Sequence, residues 1–184
     1  MGRLFGTDGA RGIANTELTC ELAMQIGRAA AVVLTKHTSL KPKIIIARDT
    51  RISSEMLEAA LTAGICSVGA DVELLGVIPT PAVAYLVPKY GADAGIMISA
   101  SHNPVEYNGI KLFSNTGYKL SDELEEEIEA LILDTPEKIS LKQGIELGRV
   151  YRRNSAVSDY IEFIKRSIDI DLSGINVAVD CANG

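Results

Sequence analysis

Short apolar runs alternate with helical segments through much of the chain, and this alternation limits the folds that it can adopt. Runs at Lys43–Ala47, Val72–Leu75 and Ile96–Ile98 have strand length, and Gly95 and polar turn residues bound the third. The third run lacks the polar alternation of a half-solvated strand, so both its faces are predicted to be covered. Strands separated by helices form right-handed crossovers. The predicted fold class is therefore α/β, with a mixed, mainly parallel sheet sandwiched between helices.

Capping residues predict where the helices begin. Thr19 has the residue type of an N-cap, and apolar residues recur behind it at helical spacing. Ser53 or Ser54 is predicted to cap the second helix. Thr80-Pro81 is predicted to start the third, because proline suits the first helical position.

The last third of the sequence differs in character. Ser121 is predicted to begin a helix whose acid-rich segment Glu125–Glu129 is interpreted as a solvated face. Another helix is predicted from about Ser155. A buried parallel strand is predicted over Ile175–Val179, and it leads into Asp180–Gly184. A strand of this kind has no partner of its own at the end of the sequence.

Composition excludes several functional classes. The 184 residues are 47% hydrophobic and 23% charged, as in a globular protein, and can bury one good core. A net charge of −6 without dense Lys or Arg runs argues against nucleic-acid binding. No segment resembles a signal peptide or a membrane span, so we expect a cytoplasmic location and no membrane partner. The three widely spaced cysteines suggest neither a disulfide framework nor a zinc site.

A chemically rich turn follows the third apolar run. Ser99–Pro104 brings two hydroxyls, an imidazole and an amide to the predicted carboxyl edge of the sheet, where open α/β sheets bind ligands. Beyond it, Lys111 alternates with apolar residues on a strand that follows too closely for a helical crossover and is predicted to be antiparallel. If Ser101 acts as a nucleophile, it needs a neighbouring base and a group that stabilises the developing charge. His102 and Lys111 are residue types that can supply these functions.

Three interpretations of this turn remain open on the residues alone. Ser, His, Asn and Pro are common turn formers, so the segment could be structural. A serine hydrolase has little support, because the G-x-S-x-G pattern is absent and the chain has two histidines. Phosphoryl chemistry fits better, because a transferring phosphate requires nearby cations.

Three ordered segments resemble the α-D-phosphohexomutases, which act on glucose, mannose and glucosamine phosphates. Ser99–Pro104 with Asn108–Lys111 resembles the active-serine loop, Phe5–Gly12 the amino-terminal signature, and Ala47–Ser54 the arginine-rich turn. Ala10 departs from the signature, where a bulkier aliphatic residue is usual. The sequence Phe5–Gly9 is most similar to that of the branch that acts on glucosamine phosphate.

The resemblance implies a phosphate relay on Ser101. The phosphoserine would give its phosphate to one hydroxyl of a sugar monophosphate, and the reoriented bisphosphate would return the other. Glucosamine 6-phosphate and glucosamine 1-phosphate are the expected pair, with mannose or glucose phosphates, or a non-catalytic phosphate-binding module, as alternatives. Mg²⁺ would bind the phosphate on Ser101, but the family's Asp-Gly-Asp-x-Asp-Arg loop, which supplies the carboxylates, is absent here. Asp8 and Asp49 are alternative carboxylates for the metal, but aspartate in a turn is more often a turn former, and we assign both residues that role.

Other residues are expected to contact the phosphate or the sugar. Arg11, on a glycine-flanked loop, is a fork-shaped donor suited to phosphate, and Thr7 belongs to the same signature. Lys111 is expected near the transferring phosphate, as a cation or as a general acid or base. His102 is expected to hold the loop or to move a proton. Arg48 is assigned to phosphate binding, although we also expect that Arg48 or Arg51 braces Asp49 in an ion pair.

The resemblance also predicts how the chain is divided. Residues 1–152 would form the first, phosphoserine-bearing domain, and residues 153–184 the opening helix and strand of a second. The partners would be the sugar phosphate and the remaining domains of the same polypeptide. The 184 residues alone are expected to be inactive.

Overall fold

Strands and helices alternate through the central part of the chain, as the sequence predicts. The structure, a computed structural model, describes residues 2–7, 9–38 and 41–180. Its strands are β1 (Phe5–Gly6), β2 (Gly9–Ile13), β3 (Lys43–Arg48), β4 (Asp71–Val77), β5 (Ala94–Ile98), β6 (Tyr107–Ser114) and β7 (Val150–Arg152). Its helices are α1 (Cys20–Leu34), α2 (Ile52–Ser67), α3 (Thr80–Lys89), α4 (Asp122–Leu133) and α5 (Ala156–Lys165). None of these helices is long and apolar enough to cross a membrane.

The strands form one mixed sheet in the order β1-β2-β6-β5-β3-β4-β7. β5, β3, β4 and β7 are parallel, whereas β6, β2 and β1 pair in antiparallel fashion. The short connection 99–106 leaves no room for a crossover helix, so β6 returns beside β5 in the opposite direction, as predicted. The predicted fold class is confirmed.

Helices cover both faces of the sheet, because successive strand residues point to opposite sides. On one face, Ile44 and Ile96 belong to a core that includes residues of α1, α2 and α4. On the other face, Ile45 and Met97 pack with α3 and with Ala156 of α5. Every residue of β5 is buried, which explains why its sequence lacks polar alternation.

Four of the five predicted helix starts are confirmed, including Ser121 before α4 and Ser155 before α5. Thr19 is the N-cap of α1, and Thr80 is the first residue of α3. α2 begins one residue before Ser53, so neither Ser53 nor Ser54 caps it and that prediction is wrong. Ser54 is buried instead, and its hydroxyl donates a hydrogen bond to Oδ1 of Asp49 at 2.9 Å.

The acidic segment of α4 is not simply a solvated face, which corrects the sequence interpretation. Glu129 is 3% exposed, and its carboxylate accepts hydrogen bonds from the backbone N–H groups of Arg3, Leu4 and Phe5 at 2.7–2.9 Å. Arg3 and Leu4 lead into β1, which begins at Phe5 and is an edge strand of the sheet. Glu129 therefore fastens the amino-terminal strand to α4.

This contact makes stability depend on pH. Burial opposes ionisation of Glu129, but the backbone hydrogen bonds and Arg3 outweigh it, so the pKa lies below its ordinary value. The stabilisation is thus present above the unfolded pKa of about 4.3 and is lost as pH falls through the lower folded pKa. We expect Glu129→Gln to cost about 1–3 kcal/mol at pH 7, because the new NH₂ faces N–H donors.

Denaturant unfolding at pH 7 and pH 3 checks this prediction. The deficit of Glu129→Gln should shrink at pH 3, which lies below the unfolded pKa of about 4.3, so that part of the carboxylate's stabilisation is lost in the parent. Glu126→Gln, on the exposed face of α4, is the matched control and should change stability by less than about 0.5 kcal/mol. An equal deficit at both pH values would contradict the assigned role of the carboxylate.

The carboxyl-terminal elements contact the main sheet and α3. β7 pairs with β4, and α5 packs on α3, where the rings of Tyr85 and Phe163 stack 3.9 Å apart. The strand predicted over Ile175–Val179 does not form, because no neighbouring strand pairs with it among the described residues, and its Ile and Val side chains are exposed. Residues 181–184, which the same prediction included, lie outside the described residues. The division at 152/153 stays a prediction.

Candidate active site

The serine loop lies where β5 ends, at the carboxyl edge of the parallel strands. Ser101 is exposed and has φ 58°, a left-handed conformation that is uncommon outside glycine. Its backbone N–H donates to Oγ of the buried Ser99 at 3.0 Å. The N–H of Ser99 in turn donates to the carbonyl of Gly109 on β6 at 2.9 Å. The loop is therefore tied to the sheet just before Ser101.

Gly109 allows the loop and β6 to approach closely. A Cβ at this position would lie 2.8 Å from the carbonyl oxygen of Ser99, closer than real Cβ atoms come to backbone atoms. Asn108, the preceding residue, is fully buried and donates through Nδ2 to the hydroxyls of Ser53 and Ser54 at 2.9 and 3.0 Å. These contacts fix the start of β6 against α2.

Arg51 holds the loop from inside. Its guanidinium donates to four backbone carbonyls: Nη2 to Ser101 at 2.9 Å and Asn103 at 2.7 Å, and Nη1 to Pro104 at 2.7 Å and Tyr107 at 3.0 Å. The side chain is only 12% exposed. One arginine therefore pairs with carbonyls along the whole turn.

Asp49 holds Arg51 in turn. Oδ2 of Asp49 accepts from Nε of Arg51 at 3.2 Å, and Oδ1 accepts from the Arg51 backbone N–H at 3.1 Å. The backbone N–H of Asp49 donates to the carbonyl of Ile98, the last residue of β5, at 3.0 Å. The expectation that Arg48 or Arg51 braces Asp49 is therefore met by Arg51.

The structure directs Arg48 away from the serine loop. Its Nη2 lies 2.7 Å from Oε1 of Glu55, and its Nε lies 3.6 Å from Oε2 of Glu58, both on α2. Burial raises the pKa of Glu58, although the positive charge of Arg48 opposes this shift. The described contacts thus occupy Arg48 with α2, and its assignment to phosphate binding stays a prediction.

Arg11 and Lys111 lie on one face of the sheet. Arg11 of β2 is opposite Gly109, and Lys111 is two residues further along β6. Nη1 of Arg11 is 3.5 Å from Oδ1 of Asn103, within the serine loop. Lys111 is half-buried, and its side chain has no hydrogen bond or ion pair with the described residues. The strand register therefore places two cationic side chains on the face beside the loop.

His102 and Thr7 are both exposed. Nδ1 of His102 lies 3.5 Å from Oγ of Ser101, at the outer limit of a hydrogen bond. Thr7 lies between β1 and β2, close in sequence to Arg11. The structure brings His102 beside the serine, but no described contact connects Thr7 to it, and the roles of both stay predictions.

The described residues do not fit a magnesium site by themselves. In ranges 2–7, 9–38 and 41–180, no group of three or more His, Cys, Asp or Glu side chains could hold a metal ion. Asp49 is occupied by Arg51 and Ser54, which supports its assignment as a turn residue. Asp8 lies outside the described residues. That Ser101, through its phosphate, is the one magnesium ligand in this chain stays a prediction.

Sequence comparison connects the site to known enzymes. Residues 2–138 match the family described as phosphoglucomutase/phosphomannomutase, alpha/beta/alpha domain I. The whole chain is 61% identical to a phosphoglucosamine mutase from Acetivibrio thermocellus and 63% identical to one from Clostridium perfringens. It spans 41% of the length of these curated relatives.

Solved structures agree with the sequence comparison. A putative phosphomannomutase from Thermus thermophilus superposes with a TM-score of 0.75 at 30% identity, covering 90% of this chain and 36% of that one. A phosphoglucomutase/phosphomannomutase family protein from Burkholderia thailandensis gives 0.73 at 27% identity, covering 90% and 36%. The chain therefore belongs to the phosphoglucomutase/phosphomannomutase family, and it contains the family's first α/β/α domain.

Proposed function

We propose that this sequence is the amino-terminal part of a phosphosugar mutase whose phosphate is carried on Ser101. The observation that carries the proposal is the conformation of Ser101: an exposed hydroxyl on a left-handed residue at the carboxyl edge of the sheet. Arg11 contacts Asn103 of the same loop, and Lys111 lies on the same face of the sheet as Arg11. Cations beside a serine suit a phosphoryl group, because charge neutralisation and positioning dominate phosphoryl transfer.

The proposed reaction consists of two phosphoryl transfers. In the first, the bond between phosphorus and Oγ of Ser101 breaks while phosphorus bonds to a free sugar hydroxyl, whose proton is removed. The bisphosphorylated sugar then turns over. In the second transfer, the other phosphate returns to Oγ and its sugar oxygen takes up a proton. The phosphoserine is regenerated, and the sugar phosphate has been isomerised.

Lys111 and Arg11 have separate roles in this scheme. The Lys111 side chain is half-buried and has no ion pair with the described residues, so its charge is available to a phosphate. Its ammonium suits proton transfer at the sugar oxygen. Arg11 offers a planar fork of donors that matches phosphate oxygens. His102, 3.5 Å from the serine hydroxyl, would assist the proton movement or hold the loop.

We propose glucosamine 6-phosphate and glucosamine 1-phosphate as the substrate pair. The support is the identity of 61–63% with relatives named phosphoglucosamine mutase. Mannose or glucose phosphates are the alternative, because a similar solved structure is named a putative phosphomannomutase. Magnesium would need carboxylates beyond the described residues, which hold no suitable group.

Mutase assays on the full-length protein test this proposal. Glucosamine 6-phosphate, mannose 6-phosphate and glucose 6-phosphate are each supplied with Mg²⁺ and a catalytic amount of the matching bisphosphate, and the 1-phosphates are measured. The highest kcat/KM is expected with glucosamine 6-phosphate, and the isolated 184 residues should show no turnover. Full-length protein that isomerises none of the three sugars would overturn the proposed function.

A further inference from the structure

We infer that Arg51 is a positioning residue that holds Ser101 in its reactive conformation without touching the substrate. The inference rests on the proposed function of Ser101. It concerns a residue three positions from Arg48, of the same type and on the same turn, whose contacts are entirely different. Arg48 binds carboxylates of α2, whereas Arg51 binds main-chain carbonyls of the serine loop.

Four carbonyls of the turn after β5 converge on the Arg51 side chain. Those of Asn103 and Tyr107 are partly buried and need hydrogen-bond partners, and those of Ser101 and Pro104 are exposed. A guanidinium has five N–H donors in a fixed plane, so one side chain can serve carbonyls on two sides. Lysine, with a single nitrogen, cannot reproduce this pattern.

Arg51 is itself fixed to the sheet. Nε and the backbone N–H of Arg51 both donate to Asp49, whose own N–H donates to the carbonyl of Ile98 at 3.0 Å. Ile98 ends β5, the strand that leads into the serine loop. Hydrogen bonds therefore connect the end of β5 to Asp49, Asp49 to Arg51, and Arg51 to the serine loop that follows β5.

Both backbone polar groups of Ser101 are held by this arrangement. Its N–H donates to Oγ of Ser99 at 3.0 Å, and its carbonyl accepts from Nη2 of Arg51 at 2.9 Å. A non-glycine residue in the left-handed region costs of order 1–3 kcal/mol and persists only when its surroundings impose it. Arg51 supplies one of the two contacts that impose φ 58° on Ser101.

Kinetics of the full-length protein test the role. Arg51→Lys should lower kcat by about 10–100-fold with KM changed less than about threefold, because a misplaced nucleophile slows chemistry more than it weakens binding. Arg51→Ala should lose at least as much, and guanidinium ion below denaturing concentration should restore part of its kcat. Unchanged kcat in Arg51→Lys would overturn the inference.

Arg153→Ala is the matched control for the loss of a partly buried arginine. Arg153 binds the buried Glu73, with Nη2 2.6 Å from Oε1, and no described hydrogen bond or ion pair joins it to the serine loop. Its loss should lower the unfolding midpoint but leave kcat within about twofold. If both variants lowered kcat in proportion to lost stability, Arg51 would be structural only.

Hydrogen exchange gives a readout that does not depend on activity. The N–H groups of Ser101, Asn103 and Tyr107 are bonded within the loop region, to Ser99, Ala100 and Pro104 respectively. In Arg51→Ala, peptides spanning 99–109 should exchange at least about tenfold faster, while peptides of β3 keep the parental rate. Unchanged exchange in 99–109 would overturn the positioning role, even if the parent protein proved not to be a mutase.

Discussion

Ser101→Ala in the full-length protein is expected to lower mutase kcat by at least about 10⁴-fold, because the phosphate then has no oxygen on which to reside between the two transfers. Substrate binding should change little, since Arg11 and Lys111 remain. The protein should stay folded, because the Ser101 side chain is exposed and its hydroxyl makes only a long contact, 3.5 Å, with His102 among the described residues.

Two controls separate loss of the nucleophile from loss of structure. Ser140→Ala changes an exposed serine away from the loop and should retain parental kcat. Circular dichroism and thermal unfolding should coincide for Ser101→Ala and the parent. If Ser101→Ala kept more than about a tenth of the parental kcat, the relay on this serine would be refuted.

Lys111→Met is expected to lower kcat/KM by about 10²- to 10⁴-fold, the range for a group that neutralises charge or transfers a proton. Methionine keeps the length and apolar stem of lysine, so packing beside Met97 and Phe113 should be preserved. The loss should not come from a broken ion pair, because the Lys111 side chain has none with the described residues.

Lys111→Arg and Lys119→Met complete this experiment. Lys111→Arg keeps the charge and should recover at least about tenfold of the lost kcat/KM. Lys119, an exposed lysine whose Nζ is 3.2 Å from Glu125, is the matched control, and Lys119→Met should stay within about threefold of the parent. Lys111→Met with parental kcat/KM would remove Lys111 from the proposed site.

The main features of the fold could be predicted from sequence because local and tertiary preferences agree. β5 is buried on both faces, and its sequence is an uninterrupted apolar run. Thr19 caps α1 through its own side chain, with Oγ1 accepting from the N–H of Leu22 at 3.2 Å. The short 99–106 connection similarly leaves an antiparallel β6 as the only accessible pairing.

The errors arise where a distant residue decides the role of a side chain. Ser54 is a residue type that often caps helices. Its hydroxyl instead donates to Asp49 and accepts from Asn108, and α2 begins two residues earlier, at Ile52. Glu129 resembles its exposed neighbours on α4, and only the position of the amino-terminal strand makes it buried and hydrogen-bonded. Periodicity cannot reveal such partners, because they belong to other elements or to turns far away along the chain.

The site was predicted in part for a similar reason. Ser101 and Lys111 could be proposed as site residues because they follow a buried strand and carry reactive groups; their roles stay predictions. Arg51 and Arg48 could not be distinguished, since the same residue type occurs twice on one turn. What separates them is the partner: Arg51 donates to main-chain carbonyls, which leave no signature in the sequence, whereas Arg48 pairs with Glu55 and Glu58 on α2.

Phosphopeptide mapping tests the central claim most directly. Full-length protein is incubated with glucosamine 1,6-bisphosphate, and intact mass followed by peptide sequencing locates any phosphate. We predict one phosphate per chain on Ser101, absent from Ser101→Ala and discharged by added glucosamine 6-phosphate. Phosphate on any other residue, or mutase turnover by protein that never carries phosphate on Ser101, would contradict the account.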